Sequence, residues 1–181
     1  MRITTVDVIS LNGKVAKEGE LNDHSWTSPE DWRHFLELMR KHTLVVMGRG
    51  TYETIHPQPQ LKRLRVVLTH HPERYRSQTV PGSIEFMNES PKSLIQRMEQ
   101  AGHTEMLLVG GRINTEFMAA GLVDEMYVTI EPVVFGKGQA LLEEAEFQWK
   151  LQLVDVTQLN SRGTLLAHYT IDKTATEPST R

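Results

Sequence analysis

Cysteine is absent from the 181 residues of this chain. Disulfides, thiol nucleophiles and thiolate metal sites are thereby excluded, and the composition suits a reducing, cytoplasmic setting. An excess of one charge is also lacking. The 20 basic and 23 acidic residues leave a formal net charge of −3, which gives no basic face for nucleic acid. No apolar run approaches the length needed to cross a membrane, and no signal-peptide pattern opens the chain. The eight histidines show no metal-ligand spacing, so no metal is expected. The Gly-x-Gly-x-x-Gly fingerprint is missing, as is a Gly-Lys-Ser/Thr phosphate loop, which argues against a nucleotide triphosphatase. There is no internal repeat or low-complexity linker. What remains suits one domain with a sizeable core, residues 1–172, followed by a flexible polar tail, 173–181, interrupted by Pro178.

Strand-like and helix-like runs alternate through the first two thirds. Ile3 to Ser10, Thr43 to Met47, Leu64 to Thr69, Ile84 to Met87 and Glu105 to Val109 read as strands. Between them, Pro29 to Lys41, Gly50 to Ile55, Pro91 to Ala101 and Ile113 to Ala120 read as helices. The first helix carries Trp32, Phe35, Leu36 and Met39 as its expected apolar face. The last third changes to strands alone: Met126 to Val134, Leu151 to Leu159 and Thr164 to Ile171, the last two a hairpin around Ser161-Arg162-Gly163. This order predicts an α/β fold, a mainly parallel sheet flanked by helices with an antiparallel edge. Ligands in such sheets collect beyond the carboxyl ends of the strands, so chemistry is sought at those junctions.

Three junctions carry it. In Trp26-Thr27-Ser28-Pro29-Glu30-Asp31, Ser28 suits a helix cap, Pro29 the first helical position, and Asp31 shares a face with Phe35 four residues on. A carboxylate and an aromatic on the inward side of a helix make a small apolar pocket with one acid, suited to a flat nitrogen-rich ring and its protonation. At Val46-Met47-Gly48-Arg49-Gly50-Thr51 a buried strand ends in glycine and a helix begins. Free N–H groups, the Thr51 hydroxyl and the Arg49 fork all favour phosphate there. Leu108-Val109-Gly110-Gly111-Arg112 repeats the strand, glycine, helix order. Two such loops in one small domain point to a dinucleotide. Thr69 and His70 could join Arg49 around a further phosphate, and an arginine there favours a 2′-phosphorylated nucleotide.

Taken together, these motifs resemble the dihydrofolate reductases, with features of the related riboflavin-pathway pyrimidine reductases. Trp26-x-x-Pro29-x-Asp31-x-x-x-Phe35 is similar to the pterin-pocket helix, and Met47-Gly48-Arg49-x-Thr51-Tyr52-Glu53-x-Ile55 to the cofactor loop and the pocket residue after it. Arg63 falls where that family anchors the glutamate carboxylate of folate, and Thr129 where it hydrogen-bonds the catalytic acid. The resemblance spans about residues 2 to 172. It implies a three-layer fold around a sheet of about eight strands. It also implies NADPH-dependent reduction of dihydrofolate to tetrahydrofolate by a monomer or homodimer.

By the same resemblance Asp31, Trp26 and Thr129 form the catalytic group, and Val6, Asp7, Phe35, Ile55 and Arg63 bind substrate. Val8, Val15, Ala16, Gly48, Arg49, Gly50, Thr51, Leu68, Thr69, His70, Val109, Gly110, Gly111, Arg112 and Ile113 hold the cofactor. Leu11 to Asp23 forms a mobile lid over the nicotinamide. Other segments are closer to the pyrimidine reductases: Ser10-Leu11-Asn12-Gly13-Lys14, Gly121-Leu122-Val123-Asp124-Glu125, and Pro132 with Gly136-Lys137-Gly138. An aminopyrimidine or pteridine reductase is therefore the alternative, and a non-catalytic NADPH-binding protein of the same fold a second one. No cysteine-rich zinc deaminase domain of the bifunctional riboflavin enzymes is present in this sequence.

Overall fold

A computed structural model of the chain describes residues 1–20 and 23–174. Eight strands form the central sheet in the order β5-β4-β3-β6-β1-β7-β10-β9. These are β1 (Arg2–Ser10), β3 (Leu44–Gly48), β4 (Leu64–Leu68), β5 (Ile84–Met87), β6 (Glu105–Val109), β7 (Glu125–Glu131), β9 (Lys150–Gln158) and β10 (Leu165–Asp172). Pairing is parallel from β5 through to β7, and antiparallel between β7 and β10 and between β10 and β9. A separate antiparallel pair joins β2 (Lys14–Lys17) to β8 (Gly138–Ala140).

Strand alternation divides the core into two layers. Leu44 and Val46 of β3 face one side, where they pack with Leu94 and Met98 of α3 (Pro91–Gln100) and Phe117 and Met118 of α4 (Gly111–Ala119). Val45 and Met47 face the other, with Leu38 of α1 (Pro29–Lys41) and Tyr52 of α2 (Arg49–Ile55). A strand covered on both sides must be apolar throughout, which is why β3 reads as an unbroken hydrophobic run. Each fully buried leucine or phenylalanine in these layers contributes about 2–3 kcal/mol of transfer free energy.

Helix α1 begins as the sequence dictates. Ser28 is extended (φ −86°, ψ 154°), its hydroxyl accepts the N–H of Asp31, and Pro29 follows. Its inward positions are Asp31 and Leu38, with Phe35 half-buried between them. Trp32, expected on the apolar face, is 56% exposed and stacks on Phe35 from outside. A helix turns about 100° per residue, so the position after Asp31 falls beside the inward stripe and not on it.

The expected lid between Leu11 and Asp23 is not a free loop over its length. Lys14 to Lys17 is strand β2, tied to β8. A side chain at Gly138 would place its Cβ 2.1 Å from the Ala16 carbonyl oxygen, so only glycine lets the two strands approach this closely. Residues 21 and 22 of that lid lie outside the described residues. Of the expected tail, Lys173 and Thr174 form a turn, with Thr174 N–H donating to Asp172, and residues 175–181 lie outside the described residues.

Candidate active site

β1 stays paired with β6 only as far as Thr5 opposite Leu108, whereas its pairing with β7 continues to Ser10 opposite Glu131. The strands therefore part at the carboxyl half of β1, where open α/β sheets bind their ligands. Val8 and Thr129 are register partners at this opening. Asp31 reaches it from the first turn of α1 and hydrogen-bonds the Thr129 side chain. Burial pushes the Asp31 carboxyl above its ordinary range. The Glu131 carboxylate adds to that rise, while Thr129 and His24 oppose it. The expected contact between Thr129 and the acid is thus present, and Val6 lies on the same side of the sheet, packed with Phe35.

Trp26, expected in the catalytic group, precedes α1 and meets both the lid segment and the chain after β7. Its indole N–H donates to the Asp23 carbonyl at 2.9 Å, and its ring packs edge-on against Phe135, with centroids 5.0 Å apart. Phe135 was not anticipated. It joins the lid side of the site to the segment after β7, and the Lys17 ammonium stands over its ring, 5.6 Å from the centroid.

Asp7 is a correction. Strand parity sets it with Ile3 and Thr5, on the face opposite Val6 and Val8. There the Asn114 side-chain amide donates to both of its oxygens, at 3.0 and 2.8 Å. Asp7 therefore leaves the substrate wall and belongs to the junction of β1 with α4. Burial pushes its carboxyl up to about 7, against the lowering effect of Asn114.

Arg63 is held at the end of α1. Its Nε donates to the His42 carbonyl at 3.1 Å, and its terminal nitrogens bond the Met39 carbonyl and the Gln60 side chain. These contacts satisfy carbonyls at the end of α1, where a cation is favoured by the helix dipole. Three of its five N–H donors are engaged in the fold, and each terminal nitrogen keeps one more. Ile55, expected on the pocket wall, is 47% exposed at the end of α2.

The two glycine junctions meet. Gly110 has φ +109°, and a Cβ on it would stand 2.3 Å from the Thr51 hydroxyl; a Cβ on Gly48 would stand 3.2 Å from the Ile113 side chain. Val109 and Ile113 are buried around them, as is Leu68 at the end of β4. Arg49, however, pairs with Glu53 on the exposed side of α2, at 2.5 Å. His70, expected to join Arg49 around a phosphate, has Arg112 beside it at 3.5 Å. Thr69 accepts the His71 N–H. A cleft of about 870 Å³ opens beside this region, between Lys17, Asp23, Arg49, Gly50, Glu53 and Gln139. It takes in the first glycine junction and the lid strand, with Ala16 buried behind it and Val15 half-buried, but not Asp31 or the second junction.

The sequence pattern of the RibD C-terminal domain matches residues 3–165. The chain belongs to that family. YwjB, an uncharacterized protein of Bacillus subtilis, is 28% identical over 167 residues, 89% of this chain and 92% of its own length. Dihydrofolate reductase type 9 of Escherichia coli is 27% identical over 129 residues, 70% of either chain. Among solved structures, a putative riboflavin biosynthesis protein from Shewanella sp. PV-4 superposes with a TM-score of 0.78 at 22% identity, covering 96% of this chain and 100% of that one. Dihydrofolate reductase from Enterococcus faecalis, solved with NADP(H), superposes with a TM-score of 0.60 at 19% identity, over 95% and 97%. This RibD C-terminal domain thus has the dihydrofolate reductase-like fold anticipated from its motifs.

Proposed function

We propose that this RibD C-terminal domain catalyses NADPH-dependent reduction of an aminopyrimidine or pteridine of the riboflavin-pathway kind, with Asp31 as the proton donor. The observation that carries this reading is the Asp31 carboxyl, buried at the opening between β1 and β6, bonded to Thr129 and biased toward its protonated form. Such an acid holds a proton where a ring or imine nitrogen needs one.

The residues present fit a dinucleotide. The space that a Gly110 side chain would fill is taken by Thr51, so the two loops close with bare backbone between them. The first N–H groups of α4 have no partner within the helix, and Arg112 and His70 stand beside that end. NADPH, when bound, supplies the hydride. Gly48, Thr51, Gly110, Gly111 and Arg112 would hold its phosphates, and Val8, Val15 and Ala16 would lie toward its nicotinamide. Asp31 protonates the nitrogen of the reduced carbon–nitrogen double bond as its carbon receives the hydride. Thr129 orients the acid. Gly110→Ala is expected to weaken NADPH binding at least tenfold in a fluorescence titration, since it adds both a collision and a disfavoured positive φ.

The family match favours the pyrimidine or pteridine reading. Arg63, at the position expected to anchor the glutamate tail of a folate, has three of its five donors on α1 and Gln60. Dihydrofolate is nonetheless the second reading, supported by the 27% identity to dihydrofolate reductase type 9. Loss of NADPH absorbance decides between them when a phosphoribosylaminopyrimidine, a dihydropteridine and dihydrofolate are offered in parallel. The expected result is a kcat/KM for the pyrimidine or pteridine at least tenfold above that for dihydrofolate. The reverse order establishes the folate reading. Binding of NADPH without oxidation by any of the three would leave a non-catalytic member of the family.

A further inference from the structure

Glu131 ends β7 two residues beyond Thr129, so the two side chains share a face, and it is 2% exposed. One of its carboxylate oxygens accepts the Ser28 N–H at 2.6 Å, and the other accepts the Thr164 hydroxyl at 2.7 Å. Two donors on two oxygens is the pattern of an ionised carboxylate. Ser28 in turn caps α1 by accepting the Asp31 N–H at 3.2 Å. Behind Thr164, Asn160 accepts the N–H groups of Arg162 and Thr164 and donates to the Thr164 hydroxyl and to Glu30. The hairpin between β9 and β10 is thereby fastened to the first turn of α1, with Glu131 at the centre of the fastening.

Resting on the reading of Asp31 as the acid, we propose that Glu131 is a positioning residue for the reaction: it seats Asp31 through Ser28 and stands as a second carboxylate beside it. Two neighbouring negative charges in a pocket closed to water are unfavourable, so the Glu131 charge holds the proton on Asp31. The other charged groups around Asp31 do not cancel this. His24, from the loop before α1, acts in the opposite sense but weakly, and Glu30 is paired with Arg33 and lies near Arg162 of the hairpin. Sequence reasoning did not single out Glu131, although its two-residue spacing from Thr129 was visible.

Glu131→Gln keeps an oxygen for Ser28 and a polar group for Thr164 while removing the charge. In protein labelled with carbon-13 at its aspartate carboxyls, the Asp31 signal is expected to titrate at lower pH in E131Q than in the parent. In the same variant the falling limb of the kcat/KM profile moves to lower pH, and activity at pH 7 drops roughly three- to tenfold with KM for NADPH unchanged. Thr164→Val, which takes one donor from Glu131 and loosens its seat beside Ser28, shifts the Asp31 titration in the same direction by less, and Thr164→Ser restores it. An Asp31 signal that titrates as in the parent overturns the proposal, in E131Q or, should that variant not fold, in T164V. The NMR reading holds whatever substrate the protein reduces, so a failure of the reductase assignment is seen separately as absent NADPH oxidation.

Discussion

Asp31→Asn is expected to lower kcat/KM for the preferred substrate by roughly 10²–10⁴-fold, about 3–5 kcal/mol of transition-state stabilisation. Asparagine preserves the shape and the bond to Thr129 but has no proton to give. The KM for NADPH should stay within about twofold, because Asp31 itself belongs to neither glycine junction. The sign of the pH dependence follows from the raised proton affinity of Asp31. Activity is full while the carboxyl is protonated and falls as pH rises through its folded-state pKa, and the variant loses that limb. Stability moves the other way. Burial disfavours the charged carboxylate, so the asparagine variant unfolds at an equal or higher temperature at neutral pH. A rate within threefold of the parent would discard Asp31 as the acid, whatever the fate of the reductase reading.

How far the sequence reached is clearest at particular residues. The bounds of α1 were legible because Ser28, Pro29 and the following apolar spacing all act locally. β3 was legible because a strand buried on both faces has no polar alternation to hide it. Each glycine junction was legible by itself, but their meeting rests on β3 pairing with β6, an order that chain sequence alone does not state. Partners brought from far along the chain were not legible. β2 and β8 are short and weakly patterned, and what joins them is a close approach over Gly138 that only the folded backbone reveals. Nothing in the sequence around Arg63 says that two of its donors go to carbonyls at the end of α1. For Asp7 the information was present. Its parity with Ile3 and Thr5, against Val6 and Val8, places it across the sheet from Asp31. One step along a strand carries a side chain to the other face, so parity alone assigns Asp7 to the α4 side.

That placement makes Asp7→Asn the sharpest test of the fold near the site. The Asp7 carboxyl, pushed up to about 7 chiefly by burial, takes two bonds from the Asn114 amide nitrogen, while the Asn114 carbonyl oxygen is buried without a partner. A protonated Asp7 has the O–H that this oxygen lacks, and the two side chains then form a reciprocal acid–amide pair. Below its ordinary value of 3.8 the group is neutral folded or unfolded, and stability is insensitive to it. As pH rises from there toward about 7, the unfolded chain loses the proton first, and stability falls. The loss amounts to roughly 2–4 kcal/mol and is complete above pH 7. In the D7N variant the new amide would pair with Asn114 in the same reciprocal way, with nothing to ionise. Denaturant unfolding at pH 5 and pH 8 should therefore show a parent that weakens by the larger part of this amount and a D7N variant that changes far less, ending more stable at pH 8. Because Asp7 lies across the sheet from the acid, D7N should also keep kcat within about threefold. Parallel stability in the two proteins, or a rate loss on the scale of Asp31→Asn, would return Asp7 to the substrate wall.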